Sequence, residues 1–178
     1  MSKSNKTDGF TLVEVMVVLA IFAILTVLAM PSLSRIIATS QIRGFSNDLQ
    51  TSILRARSEA MTRQQPVVVC PTVNGTECAM LTTDYQLGIL AFMDLDGDGD
   101  LGGSDEILVQ QLHRDINSVS VALSGAQSRF TFSPQGFLNR SLAFSITSND
   151  DDLPEMRLCG ERPGKTFVIM TNECPHEA

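Results

Sequence analysis

A single long apolar run stands out near the start of the chain. It extends from Phe10 to Met30, 21 residues with one charge, Glu14, and it follows a polar start over residues 1–9 that contains two lysines. At ~1.5 Å per residue, a helix over this run is about 31 Å long, which matches a hydrocarbon core of ~30 Å. The run therefore predicts a transmembrane helix, and the two lysines favour the cytoplasmic side for the polar start.

The helix is predicted to continue through residues 31–65 as an amphipathic segment. Its apolar positions recur three or four residues apart, which is the period of one helix face: Ile42, Phe45, Leu49, Ile53, Ala56 and Ala60. We expect this face to pack into the chain's own head, although a basic amphipathic helix can also bind a membrane surface. Pro66 ends the helix, because proline cannot continue one and disfavours helical geometry in the residue before it.

From residue 66 onward the pattern predicts β-strands. Short runs rich in β-branched and aromatic residues are separated by turn-forming clusters such as Asn74-Gly75. The predicted strands are 67–70, 86–93, 107–113, 119–123, 129–133, 142–147, 156–159 and 166–170. This alternation of strand and turn is typical of an antiparallel sandwich or paired meanders. We therefore expect an α+β fold, in which a long N-terminal helix packs on an antiparallel β-rich head over residues 66–178.

Charge and composition exclude several classes of function. The 178 residues hold 13 Lys and Arg against 20 Asp and Glu, a net charge of −7, whereas a general phosphate-binding surface needs clustered cations. With no Trp and one Tyr, stacking platforms for single-stranded nucleic acid are not expected. The chain has no nucleophile elbow, phosphate-binding glycine loop or metalloprotease helix, and His113 and His176 are far apart. We expect neither an enzyme nor a small-molecule substrate.

The junction Gly9-Phe10-Thr11-Leu12-Val13-Glu14 closely resembles the leader and mature start of type IV pilins and type II secretion pseudopilins. The resemblance implies that residues 1–9 are a leader, that prepilin peptidase cuts between Gly9 and Phe10, and that Phe10 is then N-methylated. It implies that Glu14 pairs with the N-terminal amine of a neighbouring subunit during assembly, and that Pro31 is the proline that often kinks this helix. The expected location is the bacterial inner membrane, with residues 10–30 spanning it once and the head in the periplasm.

The head is similar to the GspH/FimT family of minor pilins and pseudopilins. The matching segments are 87–94, followed by a Gly/Asp loop and by 105–108, then 130–136 and the closing hairpin around 156–170. The resemblance implies a FimU-type minor pilin that initiates or caps a type IV pilus and supports twitching motility or adhesion. Its partners are then other minor and major pilins, contacted through the N-terminal helix, with prepilin peptidase and inner-membrane lipid.

Two other functions stay open within that family. The first is the H-type pseudopilin of a type II secretion system, which the sequence separates poorly from a pilus subunit. The second is a FimT-like receptor for DNA uptake, which is expected to carry a basic Gly-Arg-x-Arg motif. Here the corresponding stretch, residues 159–165, keeps only Arg162 and Lys165 beside Glu161. Nucleic-acid binding is therefore disfavoured.

Four cysteines are present, and their spacing contains no C-x-x-C pair that would favour zinc. In an oxidising periplasm we expect disulfides, for which three connectivities exist. We favour the local pairs Cys70–Cys78 and Cys159–Cys174, because they require the least rearrangement of a hairpin-rich head.

The loop over residues 94–105 has aspartates at alternate positions followed by glycine, as at the start of an EF-hand calcium loop. The candidate calcium ligands are Asp94, Asp96, Asp98 and Asp105. Asp105 occupies the twelfth position, where a longer bidentate Glu is usual, and strands rather than helices flank the loop. The alternative is a solvated turn whose charge prevents edge-to-edge aggregation. No other cofactor is expected.

Overall fold

The computed structural model describes residues 10–113, 119–148, 155–169 and 174. Helix α1 spans Leu12–Arg63, and a short 3₁₀ helix spans Thr82–Gln86. The strands are β1 (Val67–Pro71), β2 (Gly88–Met93), β3 (Glu106–Leu112), β4 (Val119–Leu123), β5 (Phe130–Phe132), β6 (Leu142–Ser148), β7 (Met156–Gly160) and β8 (Thr166–Ile169). Among these described residues, no helix combines the length and the hydrophobicity needed to traverse a membrane.

The chain divides into two compact units, one up to Ile37 and one from Ala38. In the first unit, the side chains from Phe10 to Leu25 are exposed to solvent. In the second unit, the apolar stripe predicted for the amphipathic segment is buried: Ile42, Phe45, Leu49, Ile53, Ala56 and Ala60. The prediction that this face packs into the head is thus confirmed. Each fully buried Leu or Ile contributes ~1.5–3 kcal/mol relative to an exposed one.

The second unit contains two four-stranded antiparallel sheets. Sheet 1 has the order β3-β2-β1-β5, and sheet 2 has the order β4-β6-β7-β8. In sheet 1, β1 lies in the middle, with Val68 opposite Phe92 on one side and Thr131 on the other. In sheet 2, Phe144 of β6 lies opposite Leu123 of β4 and Leu158 of β7.

One hydrophobic cluster joins the buried stripe of α1 to the inner faces of both sheets. Tyr85 of the 3₁₀ helix lies within it, edge-on to Phe144 with ring centroids 4.9 Å apart. Its hydroxyl donates to the carbonyl oxygen of Ser128 at 2.7 Å, which satisfies the one polar atom of that side chain. Burial raises the pKa of Tyr85 far above its ordinary value. The helix and both sheets therefore share a single core.

All eight predicted strands are present, and their ends differ from the prediction by at most two residues. The 3₁₀ helix was not predicted, and residue 86, expected in a strand, is its last residue. Helix α1 ends at Arg63, and Gln64 then adopts a left-handed φ of 57° before the chain enters β1. Within three residues, Gln64 to Pro66, the chain turns back along the helix.

Candidate functional site

The first turn of α1 holds the residues predicted for processing and assembly. Gly9 lies outside the described residues, and the side chain of Phe10 is exposed. Thr11 caps the helix, since its Oγ1 and its carbonyl oxygen both accept from the backbone N–H of Glu14, at 3.3 and 3.1 Å. The Glu14 carboxylate is exposed, at the helix end where a negative charge is favoured.

A shallow apolar groove of about 230 Å³ lies beside this carboxylate, lined by Phe10, Glu14, Val15, Val18 and Leu19. It therefore places the carboxylate among apolar side chains. Pro31, the other predicted assembly residue, lies within α1, and its side chain is outside the described residues. The roles assigned to Glu14 and Pro31 remain predictions.

Two disulfides cross-link the head. Cys70 of β1 is bonded to Cys78, and Cys159 of β7 is bonded to Cys174. These are the two pairs that the sequence favoured. The first closes a short loop over sheet 1. The second brings Cys174 onto sheet 2, where it packs with Ala143.

The acidic loop, residues 94–105, connects β2 to β3. One carboxylate oxygen from each of Asp94, Asp96, Asp98 and Asp105 lies within 4.8 Å of the others. The four residues predicted as calcium ligands are thus brought together. They are the oxygen donors that calcium prefers. No further group of three or more metal-ligating side chains was found in the described parts of the chain.

The same carboxylates also hold the backbone of the acidic loop. Asp94 accepts from Gly97 N–H at 2.8 Å, and Asp105 accepts from Leu95 N–H at 2.9 Å and from Gly102 N–H at 3.1 Å. These hydrogen bonds form without an ion. They therefore explain the shape of the loop equally well if the loop is a solvated turn. Calcium binding stays a prediction.

His113 follows β3 and faces the helix. Its ring lies 4.6 Å from that of Phe45, and its backbone N–H donates to the carbonyl oxygen of Leu87 at 2.9 Å. Burial lowers the pKa of His113, and the nearby carboxylate of Asp48 opposes that shift. His176 lies outside the described residues. His113 is therefore explained by packing between helix and sheet.

Arg57 forms a connection that the sequence did not predict. From the face of α1 it donates from Nε to the carbonyl oxygen of Gly136 at 3.0 Å and from Nη2 to that of Pro163 at 3.1 Å. Gly136 belongs to a tight turn over residues 133–137, and Pro163 to the hairpin turn over residues 161–165. We call these two turns together the two-turn surface.

The two turns also contact each other. The backbone N–H of Leu138 donates to the carbonyl oxygen of Arg162 at 2.9 Å. Gly164 approaches the carbonyl oxygen of Gly136 so closely that a Cβ at position 164 would lie 2.1 Å from it. Only glycine fits there, and Arg162 and Lys165 are thereby fixed at the hairpin tip. In the sequence, the only indication of these two turns was a glycine that follows a proline in each of them.

Two family descriptions match parts of this chain. The family described as "Type II transport protein GspH" matches residues 46–164, and the prokaryotic N-terminal methylation motif matches residues 4–30. No protein with curated annotation matches the chain.

Two crystal structures of a minor pilin share the fold. A crystal structure of the type IV minor pilin FimU of Pseudomonas aeruginosa superposes with a TM-score of 0.59 at 15% identity, covering 78% of this chain and 95% of that one. A second crystal form of FimU gives a TM-score of 0.51 at 15% identity, covering 75% and 97%. The minor pseudopilin EpsH of the Vibrio cholerae type 2 secretion system gives 0.44 at 12% identity, covering 76% and 98%. The FimU structures confirm the predicted α+β pilin fold.

Proposed function

The chain belongs to the GspH family, and on that premise we propose that it is a minor pilin that helps to initiate or cap a type IV pilus. The observation that carries the proposal is the combination of two parts in one chain. An N-terminal methylation motif over residues 4–30 precedes a family region over residues 46–164 that has the fold of a minor pilin. Membership of this family favours a structural rather than an enzymatic role.

We propose that prepilin peptidase removes residues 1–9 and methylates Phe10, and that residues 10–30 anchor the subunit once in the inner membrane. The methylation motif and the 21-residue apolar run support this. The two disulfides support a periplasmic head, because disulfides persist in oxidising compartments. Mass spectrometry of the mature protein should find a methylated Phe10 at the N-terminus, and an intact leader would contradict the proposal.

In the proposed filament, Glu14 selects the register of the incoming subunit. Its carboxylate is bordered by Val15, Val18 and Leu19, which become buried when apolar helices bundle. A carboxylate in such surroundings is tolerable when it meets a positive charge, and removing one partner of a buried ion pair costs ~3–5 kcal/mol. The amine of a neighbouring Phe10 supplies that charge. A subunit in the wrong register leaves the carboxylate unpaired.

Glu14→Ala should therefore reduce incorporation into filaments at least tenfold while leaving the amount of protein in the membrane unchanged. Asp48→Ala is the matched control, because Asp48 is an exposed acidic residue on the same helix. The measurement is immunoblotting of sheared filaments against total membranes. Equal incorporation of both variants would refute the role of Glu14.

A second candidate function is the H-type pseudopilin, which the family's description as a type II transport protein favours. Deletion of the gene, with complementation, separates the two. We expect loss of surface pili and of twitching with normal secretion of type II substrates. Loss of secretion with normal piliation would assign the chain to the pseudopilus and overturn the pilus proposal.

A further inference from the structure

A cavity of about 420 Å³ opens on the side of sheet 1 that faces away from α1. Val68 of β1 lines it; Val67 and Val69 join the core shared with α1, whereas Val68 belongs to a separate small cluster on the opposite face of the sheet. Met80, which is 82% exposed, and Gly99 at the tip of the acidic loop also line the cavity. Its volume lies within the ~300–1,000 Å³ that is typical of sites for small ligands.

The lining combines hydrogen-bonding and apolar side chains. Its uncharged polar residues are Gln127, Ser128, Thr131 and Asn139. Hydroxyl and carboxamide groups each donate and accept hydrogen bonds. The Oδ1 of Asn139 accepts from the backbone N–H of Thr131 at 3.0 Å, which fixes this amide and leaves its NH₂ group to donate to a ligand. The cavity thus fits a ligand whose own polar groups both donate and accept, and that has a small apolar part.

The charge in the cavity is already paired. Among the described residues that line it, Arg129 is the one titratable group, and its Nη1 donates to the carboxylate of Asp100 and, at 2.9 Å, to the carbonyl oxygen of Gly99. Because Asp100 neutralises the guanidinium, an anionic ligand gains little there. A guanidinium also keeps its proton in proteins, so it does not serve as an acid or a base. The cavity therefore suits a neutral ligand that is bound rather than transformed.

Three consecutive carbonyl groups beside the cavity are held from the side of the protein core. The hydroxyl of Tyr85 donates to the carbonyl oxygen of Ser128 at 2.7 Å. The Nη2 of Arg140 donates to the carbonyl oxygens of Gln127, at 2.5 Å, and of Arg129, at 3.1 Å. All three of these residues line the cavity. A ligand that binds them therefore orders little further backbone, which lowers the entropic cost of binding.

We propose that this cavity binds one N-acetylhexosamine unit of a neutral glycan. The ring hydroxyls donate and accept, as the polar lining residues do. The acetamido group supplies an amide oxygen for the NH₂ group of Asn139 and a methyl group for Val68 and Met80. With about 15 non-hydrogen atoms, such a unit is expected to bind with a Kd on the order of 1 mM. The inference goes beyond the proposed function, because it concerns the head alone and needs no filament.

Isothermal titration calorimetry on the full-length protein, in a detergent without a sugar headgroup, tests the proposal. The probes are N-acetylglucosamine and glucose, which lacks the acetamido group. We expect N-acetylglucosamine to bind with a Kd on the order of 1 mM and glucose to bind about fivefold more weakly, because it lacks one hydrogen bond and one apolar contact. Equal affinities, or no binding of N-acetylglucosamine at about 20 mM, would overturn the proposal.

Filling the cavity tests its location. Ala126→Trp adds a large side chain to the lining, and Ser124→Trp is the matched control, because Ser124 is exposed in the same loop but lies outside the lining. Ala126→Trp should weaken the binding of N-acetylglucosamine about tenfold or more, whereas Ser124→Trp should leave it unchanged. Formation of both native disulfides, measured by mass spectrometry, shows that each variant still folds. An unchanged affinity in folded Ala126→Trp would refute the site.

Removing one polar group tests the chemistry of the lining. Gln127→Ala should weaken binding about threefold to tenfold, as expected for the loss of one neutral hydrogen bond. Gln135→Ala is the matched control, because Gln135 is an exposed glutamine outside the cavity. Equal affinities for these two variants would contradict the role of Gln127.

Two further outcomes separate the proposal from its neighbours. If N-acetylglucosamine does not bind, while Ala126→Trp and not Ser124→Trp reduces the recovery of other pilus subunits with the tagged chain, the cavity receives a protein segment and the sugar proposal is wrong. If N-acetylglucosamine binds as expected but deletion of the gene leaves pili intact, the sugar site stands and only the proposed pilus function fails.

Discussion

Gly164 is the position at which a single methyl group tests the junction between the two-turn surface and helix α1. Its φ is +81°, and a Cβ there would lie 2.1 Å from the carbonyl oxygen of Gly136 and 2.7 Å from Nε of Arg57. Gly164→Ala must therefore displace the turn, the arginine or both. Gly97 is the matched control, because its φ is +78° and nothing lies within 4 Å of a Cβ built there.

The two substitutions share one cost and differ in another. A side chain in the left-handed region costs ~1–2 kcal/mol at either position. Gly164→Ala also breaks at least one hydrogen bond from a charged donor, which adds ~1.5–3 kcal/mol. At ~2–4 °C per kcal/mol for a chain of this size, Gly164→Ala should unfold about 3–12 °C below Gly97→Ala.

Tyrosine fluorescence is a convenient assay, because Tyr85 is the only tyrosine, the chain has no tryptophan, and Tyr85 is fully buried in the head core. Thermal unfolding of the full-length protein in detergent thus reports on the head. Combining Arg57→Met with each glycine substitution completes a double-mutant cycle. Without the arginine, the difference in unfolding temperature between Gly164→Ala and Gly97→Ala should shrink. Equal unfolding temperatures for the two glycine variants in the wild-type background would refute the reasoning.

Three further predictions follow from the described contacts. Because burial lowers the pKa of His113 below 6.5, protonation favours the unfolded chain; the free energy of unfolding should fall as pH drops through about 6.5, and His113→Phe should flatten this dependence in urea titrations. Cys159→Ser with Cys174→Ser opens a disulfide that spans 15 residues, and it should lower the free energy of unfolding by ~3 kcal/mol in the chain-entropy model; a loss below ~1 kcal/mol would contradict it. The predicted calcium site requires that millimolar calcium raises the unfolding temperature and that Asp98→Asn removes the rise; no heat in calorimetry of the wild type would retire it.

The helix and the strands could be predicted because each depends on local patterns. The stripe from Ile42 to Ala60 has the helical period, and the β-rich runs lie between clear turn signals. The four aspartates of the acidic loop are likewise close in sequence. Alternate spacing brings Asp94, Asp96 and Asp98 together, and Asp105 joins them from the other end of the same loop.

The assignment of strands to each of the two sheets and the Arg57 contacts could not be predicted. The pairing of β1 with β5 joins residues about sixty positions apart, and no local pattern specifies such a partner. Arg57 reaches carbonyl groups 79 and 106 positions away, and any residue type supplies a carbonyl oxygen. The 3₁₀ helix, Thr82–Gln86, is a single short turn whose sequence lacks a helical period.

The short connection between α1 and β1 has a mechanical consequence. Only Gln64, Gln65 and Pro66 separate the helix from the strand that is hydrogen-bonded to neighbours on both sides. Tension applied along the helix by a moving filament would have to slide the buried stripe and the Arg57 hydrogen bonds past the sheets all at once. Because these contacts must break together rather than one after another, they share the applied force. The head should therefore resist unfolding that starts at the helix when the helix is pulled.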